Sequence, residues 1–114
     1  AKALAPLRAL QPAYDQYDQA VAAARKKDFA TAKRLAAAAA AAVPREARFQ
    51  QLLGDVAMTE KQPARALLRY ERAVSLDPGY FGAYLAGGVA HYQTGDRAKA
   101  KAWLEQSVER LPTL

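Results

Sequence analysis

Three prolines stand at one interval in this chain: Pro44, Pro78 and Pro112, each 34 residues from the next. Other positions keep the same spacing. Gly54 falls on Gly88, Ala32 on Ala66 and Ala100, Ala39 on Ala73, Glu71 on Glu105, and Val74 on Val108. An ordinary globular core does not repeat in this way. A fixed period in this range marks stacked supersecondary units, each too small to bury its own apolar face, so that neighbours complete one another's core.

Within each unit the apolar pattern is helical and the breakers fall between helices. From Ala13 to about Lys26, Tyr14, Tyr17 and Val21 recur at helical spacing. Asp28 then stands where an N-cap belongs, its carboxylate available to the orphan N–H groups of a helix from Phe29 to about Val43. That helix contains seven successive alanines, Ala36 to Ala42. Alanine is the strongest helix former, and the flanking period argues against low-complexity disorder. Arg45 and Glu46 open the second unit, whose first helix runs to about Glu60. Pro63 suits the first turn of the next helix, where a missing N–H costs nothing. This helix carries Ala66, Leu67, Tyr70, Ala73 and Val74 on one face and ends before Asp77. The third unit starts near Tyr80. Gly95 is placed to take positive φ at a helix end, and Asp96 to cap the last helix with Trp103, Leu104, Val108 and Leu111. Ahead of the units, Ala1–Gln11 reads as a short helical segment, closed by Pro12, whose Leu4, Leu7 and Leu10 cover the open side of the first unit.

Length and composition bound the function. A chain of 114 residues suffices for one domain or a short solenoid. The apolar fraction of 52% with 9% aromatic residues reflects alanine and suits close helix packing. No cysteine is present, which removes disulfides, thiolate metal sites and a cysteine nucleophile. No uncharged run approaches membrane-spanning length, so no membrane insertion is expected, and residues 1–12 lack the apolar core of a signal peptide. The net charge of +6 is spread over Lys26, Lys27, Lys33, Arg34, Arg65, Arg69, Arg72, Arg97, Lys99 and Lys101. Most of these sit opposite the apolar stripe with no base-stacking aromatics between them, the signature of a solvated face rather than a nucleic-acid surface. The single histidine, His91, is expected in the core. Asp15, Asp18 and Asp28 are scattered surface or cap acids, not an acid–base pair. One histidine cannot hold zinc, and no nucleophile motif, phosphate loop or HExxH is present. The chain by itself reads as non-catalytic, with no metal or cofactor.

The residues at the repeating positions resemble the tetratricopeptide repeat (TPR), a 34-residue pair of antiparallel helices. Its small residue in the middle of the first helix is matched by Ala20, Gly54 and Gly88. Its early alanine in the second helix is matched by Ala32, Ala66 and Ala100. The large residue that follows is Tyr70 or Leu104, the later small one Ala39, Ala73 or Ser107, and proline ends each unit. Departures are Gln16 and Gln50 where an aromatic is usual, met only by Tyr84, and Ala36 in place of a bulky residue. The resemblance implies an all-α, right-handed α-solenoid of about three helix-turn-helix repeats (about 13–46, 47–80 and 81–114), with residues 1–12 as an N-terminal helical cap or linker. It further implies a concave groove lined by the first helices. Tyr14, Tyr17, Val21, Ala24 and Arg25 fall there in the first repeat, and Arg48, Gln51, Asp55, Met58 and Thr59 in the second. Gly82, Leu85, Val89, Tyr92 and Gln93 follow in the third. Chaperone-type members clamp a C-terminal carboxylate with lysines and asparagines in this groove. Tyr17, Val21 and Gly82 stand at those places, so no preference for such tails is expected. The family also commonly ends on an extra helix that covers the last apolar face. None is visible here, and Trp103 or Leu111 is expected to need cover from elsewhere.

A narrower resemblance lies in PREARFQQLLGD (Pro44–Asp55), DPGYFGAYLAGGVAHYQTGD (Asp77–Asp96) and AKAWLEQSVERLPT (Ala100–Thr113). These are similar to the C-terminal TPR tail of bacterial secreted or periplasmic HExxH zinc metalloproteases, which contacts substrates, partner assemblies or its own catalytic domain. The expectation is therefore a protein–protein interaction module that binds a peptide or protein partner in its groove, as the accessory domain of a larger bacterial protein. A periplasmic or secreted location follows only from that narrower likeness. The alternatives are a unit that self-associates through its terminal helix and, behind it, a nucleic-acid scaffold driven by charge.

Overall fold

Six helices follow one another with short turns: α1 (Ala5–Arg25), α2 (Phe29–Ala42), α3 (Ala47–Thr59), α4 (Pro63–Leu76), α5 (Phe81–Thr94) and α6 (Arg97–Glu109). The computed structural model describes residues 5–112, with side chains from Arg8 onward, and no strand occurs among the described residues. Consecutive helices pair as α1 with α2, α3 with α4 and α5 with α6, and the pairs stack through α2 on α3 and α4 on α5. The expected all-α solenoid of three helix pairs is what forms.

The turns explain why the period is so strict. At the end of each pair's first helix, Lys27 (φ 63°), Lys61 (φ 60°) and Gly95 (φ 91°) adopt the left-handed conformation at equivalent positions. The N–H groups of Asp28, Gln62 and Asp96 then return to the carbonyls of Ala23, Ala57 and His91 at 2.9, 2.9 and 3.0 Å, closing three copies of one Schellman-type cap. Asp28 and Asp96 accept the N–H of Thr31 and Lys99 at 3.3 and 3.1 Å, as N-caps should. The turns between pairs repeat as well, with Val43 and Asp77 N–H groups bonded to Ala39 and Ala73 carbonyls at 2.9 Å each.

Inside a pair, helices approach at the small residue of the first helix. A Cβ on Gly54 would lie 2.5 Å from the Tyr70 ring, and one on Gly88 2.7 Å from Leu104. In the first pair Ala20 faces Ala36, both fully buried. The alanine at position 36 is therefore compensated: a smaller partner across the crossing allows Ala20 its methyl group. Between pairs the same exchange of volume operates. Phe49 and Leu52 of α3 fill the space left by Ala36, Ala39 and Ala40 of α2. Where α4 supplies Tyr70, α5 offers only Ala86 and Ala90. The corresponding residues of α1 are Asp15, Asp18 and Ala22, all exposed.

Two expectations are corrected. Pro12 does not close a separate segment, because α1 runs through it for 21 residues. The proline removes one hydrogen bond to the Arg8 carbonyl, but Arg8 to Pro12 are all exposed, and water can take the place of the lost donor. Of the leucines expected to cover the first pair, Leu10 is exposed, while Leu4 and the side chain of Leu7 lie outside the described residues. Trp103 is not at the open end either. It sits half-buried between α5 and α6, where a Cβ on Gly87 would collide with its ring, with Tyr84 and His91 at centroid distances of 5.7 and 5.1 Å. His91 is packed in the core against it, as expected.

The crossing gives a test by sign. Glycine to alanine at an open site in a helix stabilises by about 1 kcal/mol. At Gly54 the methyl group collides with the Tyr70 ring, so Gly54→Ala is expected to destabilise by about 1–3 kcal/mol in urea denaturation.

Candidate functional site

The first helices of the first two pairs, α1 and α3, enclose a cleft of about 430 Å³. Tyr17, Val21 and Arg25 come from one wall, one helical turn apart in succession, and Arg48, Gln51 and Asp55 from the other. Ala24 and Thr59 extend the two rows, and Phe29, Leu52 and Tyr80 complete the lining.

The tyrosines are held from beneath. Phe49, fully buried, has the Tyr14 and Tyr17 rings each at 5.1 Å. The Arg48 guanidinium lies 5.5 and 5.7 Å from the same two rings, within cation–π range. Glu46 fixes that cation at 2.9 Å, takes the Tyr14 hydroxyl proton donor at 2.8 Å, and caps the Arg48 N–H at 3.4 Å. Burial opposes the charge on Glu46, but the bonds from Arg48 and Tyr14 outweigh it and hold the carboxyl below its usual range. The bond to Glu46 in turn raises the Tyr14 phenol. One end of the cleft is thus a preformed aromatic and charge cluster.

Its floor is an acceptor surface. The Tyr70 hydroxyl passes beneath Gly54 and donates to Asp55 at 2.6 Å. Burial still raises the Asp55 carboxyl above its ordinary value. Gln51 Oε1 is buried and has no hydrogen-bond partner among the described residues. Tyr80 closes the far side, its phenol pushed up to about 12 by burial. Gly82 makes room for this arrangement, since a Cβ there would stand 3.2 Å from both Gln51 Oε1 and the Tyr80 ring.

Of the fifteen groove residues named from the sequence, eight line this one cleft: Tyr17, Val21, Ala24, Arg25, Arg48, Gln51, Asp55 and Thr59. Tyr14 lies beside it, against Phe49. Met58 packs inward against the core shared by the second and third pairs. Leu85, Val89 and Gln93 are exposed along α5, outside the cleft. Tyr92, 60% exposed, belongs instead to a hollow of about 400 Å³ at the end of the stack, with Leu104 and Val108. Tyr80 was not anticipated. It closes its repeat as Glu46 closes the one before, and both turn toward the cleft; that shared position was the available signal. Among the described residues, no three acids or histidines gather as a metal site, and no helix is long and apolar enough to cross a membrane.

Helix pairs stacked at a constant period, with a cleft built from the first helices, define a helical-repeat solenoid. The family model of the tetratricopeptide repeat matches residues 57–113, half of the chain. The protein belongs to the tetratricopeptide repeat family. No curated protein matches the sequence. Among solved structures, MamA is similar at 24% identity and a TM-score of 0.80, over 89% of this chain and 59% of that one. This chain thus spans about three fifths of MamA. The second TPR of Spaghetti (RPAP3), bound to the HSP90 peptide SRMEEVD, superposes with a TM-score of 0.85 at 19% identity, covering 90% and 94% of the two chains. The Yersinia enterocolitica type III secretion chaperone SycD, in complex with a peptide of the translocator YopD, gives 0.82 at 18% identity, covering 88% and 76%.

Asp55 makes the floor responsive to pH. Its folded-state pKa is raised, so the folded protein holds the proton more tightly than the unfolded chain does. The associated stability is full below the ordinary aspartate pKa and is lost as pH rises through the folded value. Thermal melts of Asp55→Asn between pH 4 and pH 7 are expected to lose that downward slope, while the Tyr70 hydroxyl keeps an acceptor.

Proposed function

We propose that this chain is a non-catalytic module that binds a peptide or protein partner in the cleft between α1 and α3. The observation that carries the reading is the unpartnered Gln51 Oε1 beside Asp55, in a hollow walled by Tyr17, Val21 and Tyr80. A buried acceptor left unpaired is costly, and an incoming N–H donor recovers that cost. Aromatic walls around convergent polar groups are the make-up of a binding hot spot. The structures of RPAP3 and SycD, each holding a peptide, support the same use of this fold. The occupant differs in kind from a C-terminal carboxylate. Arg48 is already committed to Glu46, and Tyr17, Val21 and Gly82 replace the clamp residues. The narrower likeness to the tail of a bacterial zinc metalloprotease rests on the three sequence segments alone. An accessory role beside such a catalytic domain, in the periplasm or outside the cell, is part of this proposal and is supported by none of the matches above.

Selection of a phage-displayed peptide library against the chain tests the cleft. Enriched peptides are expected to lose about tenfold or more in affinity for Arg25→Glu and for Gln51→Ala, and to bind equally well when amidated. Peptides indifferent to both substitutions sink the assignment, and dependence on a free carboxylate sinks its specificity.

A second reading, self-association, is favoured by the end of the stack. Val108 is 65% exposed there, in the hollow with Leu104 and Tyr92, and Leu111, just after α6, is 51% exposed. Trp103 is half-buried and packs toward α5. If copies pair through this face, light scattering over a concentration series shows a dimer that Val108→Glu returns to monomer. A wild-type monomer at all concentrations refutes it.

A further inference from the structure

On the opposite side of α3 from the cleft, a second hollow of about 500 Å³ opens between α2 and α4. These two helices do not pack on each other, and the space between them stays open. Leu53 and Val56 of α3 form part of the floor. The walls carry Lys33 from α2 and Arg65, Arg69 and Arg72 from α4. The three arginines recur at helical spacing and therefore share one stripe of α4. Leu68 stands among them, 68% exposed.

The charge of this hollow is unbalanced. Four cations line it with one carboxylate, Glu60, which is already paired with Lys33 at 3.2 Å. Arg69 donates to Gln50 Oε1 at 3.3 Å. Among the described residues, Arg65 and Arg72 pair with no acid. Two basic residues of α6 differ, Lys99 and Lys101, which lie 3.9 Å from Asp96 and Glu105, while Arg97 stands over the Tyr92 ring. An evenly solvated helix face does not explain cations gathered around an apolar floor.

We propose that this hollow docks an acidic, amphipathic segment of a partner protein. Its carboxylates meet Arg65, Arg69 and Arg72, for which arginine's planar fork is suited, and its apolar side chains rest on Leu53, Val56 and Leu68. Nucleic acid fits less well. No aromatic lines the hollow to stack a base, and the apolar floor gives phosphates nothing. A flat anionic membrane does not reach the floor. The site is separate from the α1–α3 cleft, so its test does not depend on that reading.

The experiment is fluorescence anisotropy on the full chain, with a labelled peptide of repeated Glu-Glu-Leu-Leu units. Comparators are the same peptide with glutamine for glutamate, a single-stranded oligonucleotide, and vesicles containing phosphatidylserine. Saturable binding of the acidic peptide is expected to weaken about tenfold or more in the double variant Arg65→Glu/Arg72→Glu, and measurably in Arg65→Gln/Arg72→Gln. Arg97→Glu/Lys101→Glu changes net charge equally but lies off the site, and its effect is expected to stay within about twofold. Circular dichroism confirms that each variant remains helical. The proposal is overturned if no saturable binding occurs, if both charge reversals weaken it equally, or if the glutamine peptide, oligonucleotide or vesicles compete as well as the acidic peptide.

Discussion

The crossing of α3 over α4 depends on the hydrogen that Gly54 carries in place of a side chain. The Tyr70 ring occupies the volume a Cβ would need, which brings the two backbones close and leaves the tyrosine almost completely buried. Its hydroxyl, at the end of a rigid ring, then reaches through to Asp55 on the far side of α3. One packing decision in the core thereby sets the polarity of a surface cleft. The other pairs solve the crossing with different volumes, alanine on alanine in the first and glycine under leucine in the third, while the turn geometry stays constant.

That constancy explains how a helix of almost uninterrupted alanine holds a place in the core. Alanine contributes helix propensity and permits close approach, but it buries little area of its own. The apolar contribution comes from across the interface, where Phe49 and Leu52 press into the alanines of α2. At the next interface the larger residue is on α4 and the alanines are on α5. Packing density is thus maintained by exchange between neighbours, as close-packed interiors require.

The fold was legible because its signals are local and recur: prolines at one interval, aspartates at helix starts, a glycine at one helix end. What escaped reading was decided by tertiary context. Lys27 and Lys61 occupy left-handed positions that only Gly95 advertises, and the cap bonds around them offset the strain. Pro12 falls where a helix break was expected, yet solvent tolerates the lost bond. Trp103 looked like a residue in need of cover until Gly87, which has no counterpart in the other repeats, provided its slot. The cleft was half legible. Positions along α1 and α3 were readable from the repeat, but the turn residue Tyr80 lies outside the helical pattern, and nothing in sequence alone separates Tyr92 from Tyr17.

The two ends of the stack differ in a way that gives the array a direction. Phe49 and Ala83 each seat their helix on the repeat before it, whereas the same place on α1 is taken by Asp15, with Asp18 one turn further along. A further helix pair laid against α1 would strip water from both carboxylates, with only the Gln11 amide, 2.9 Å from Asp15, to offset the loss. Laid against α6, it would meet Leu104 and Val108. Duplication of a repeat, whether by evolution or by engineering, is therefore a one-sided operation in this molecule, permitted after the last pair and resisted ahead of the first.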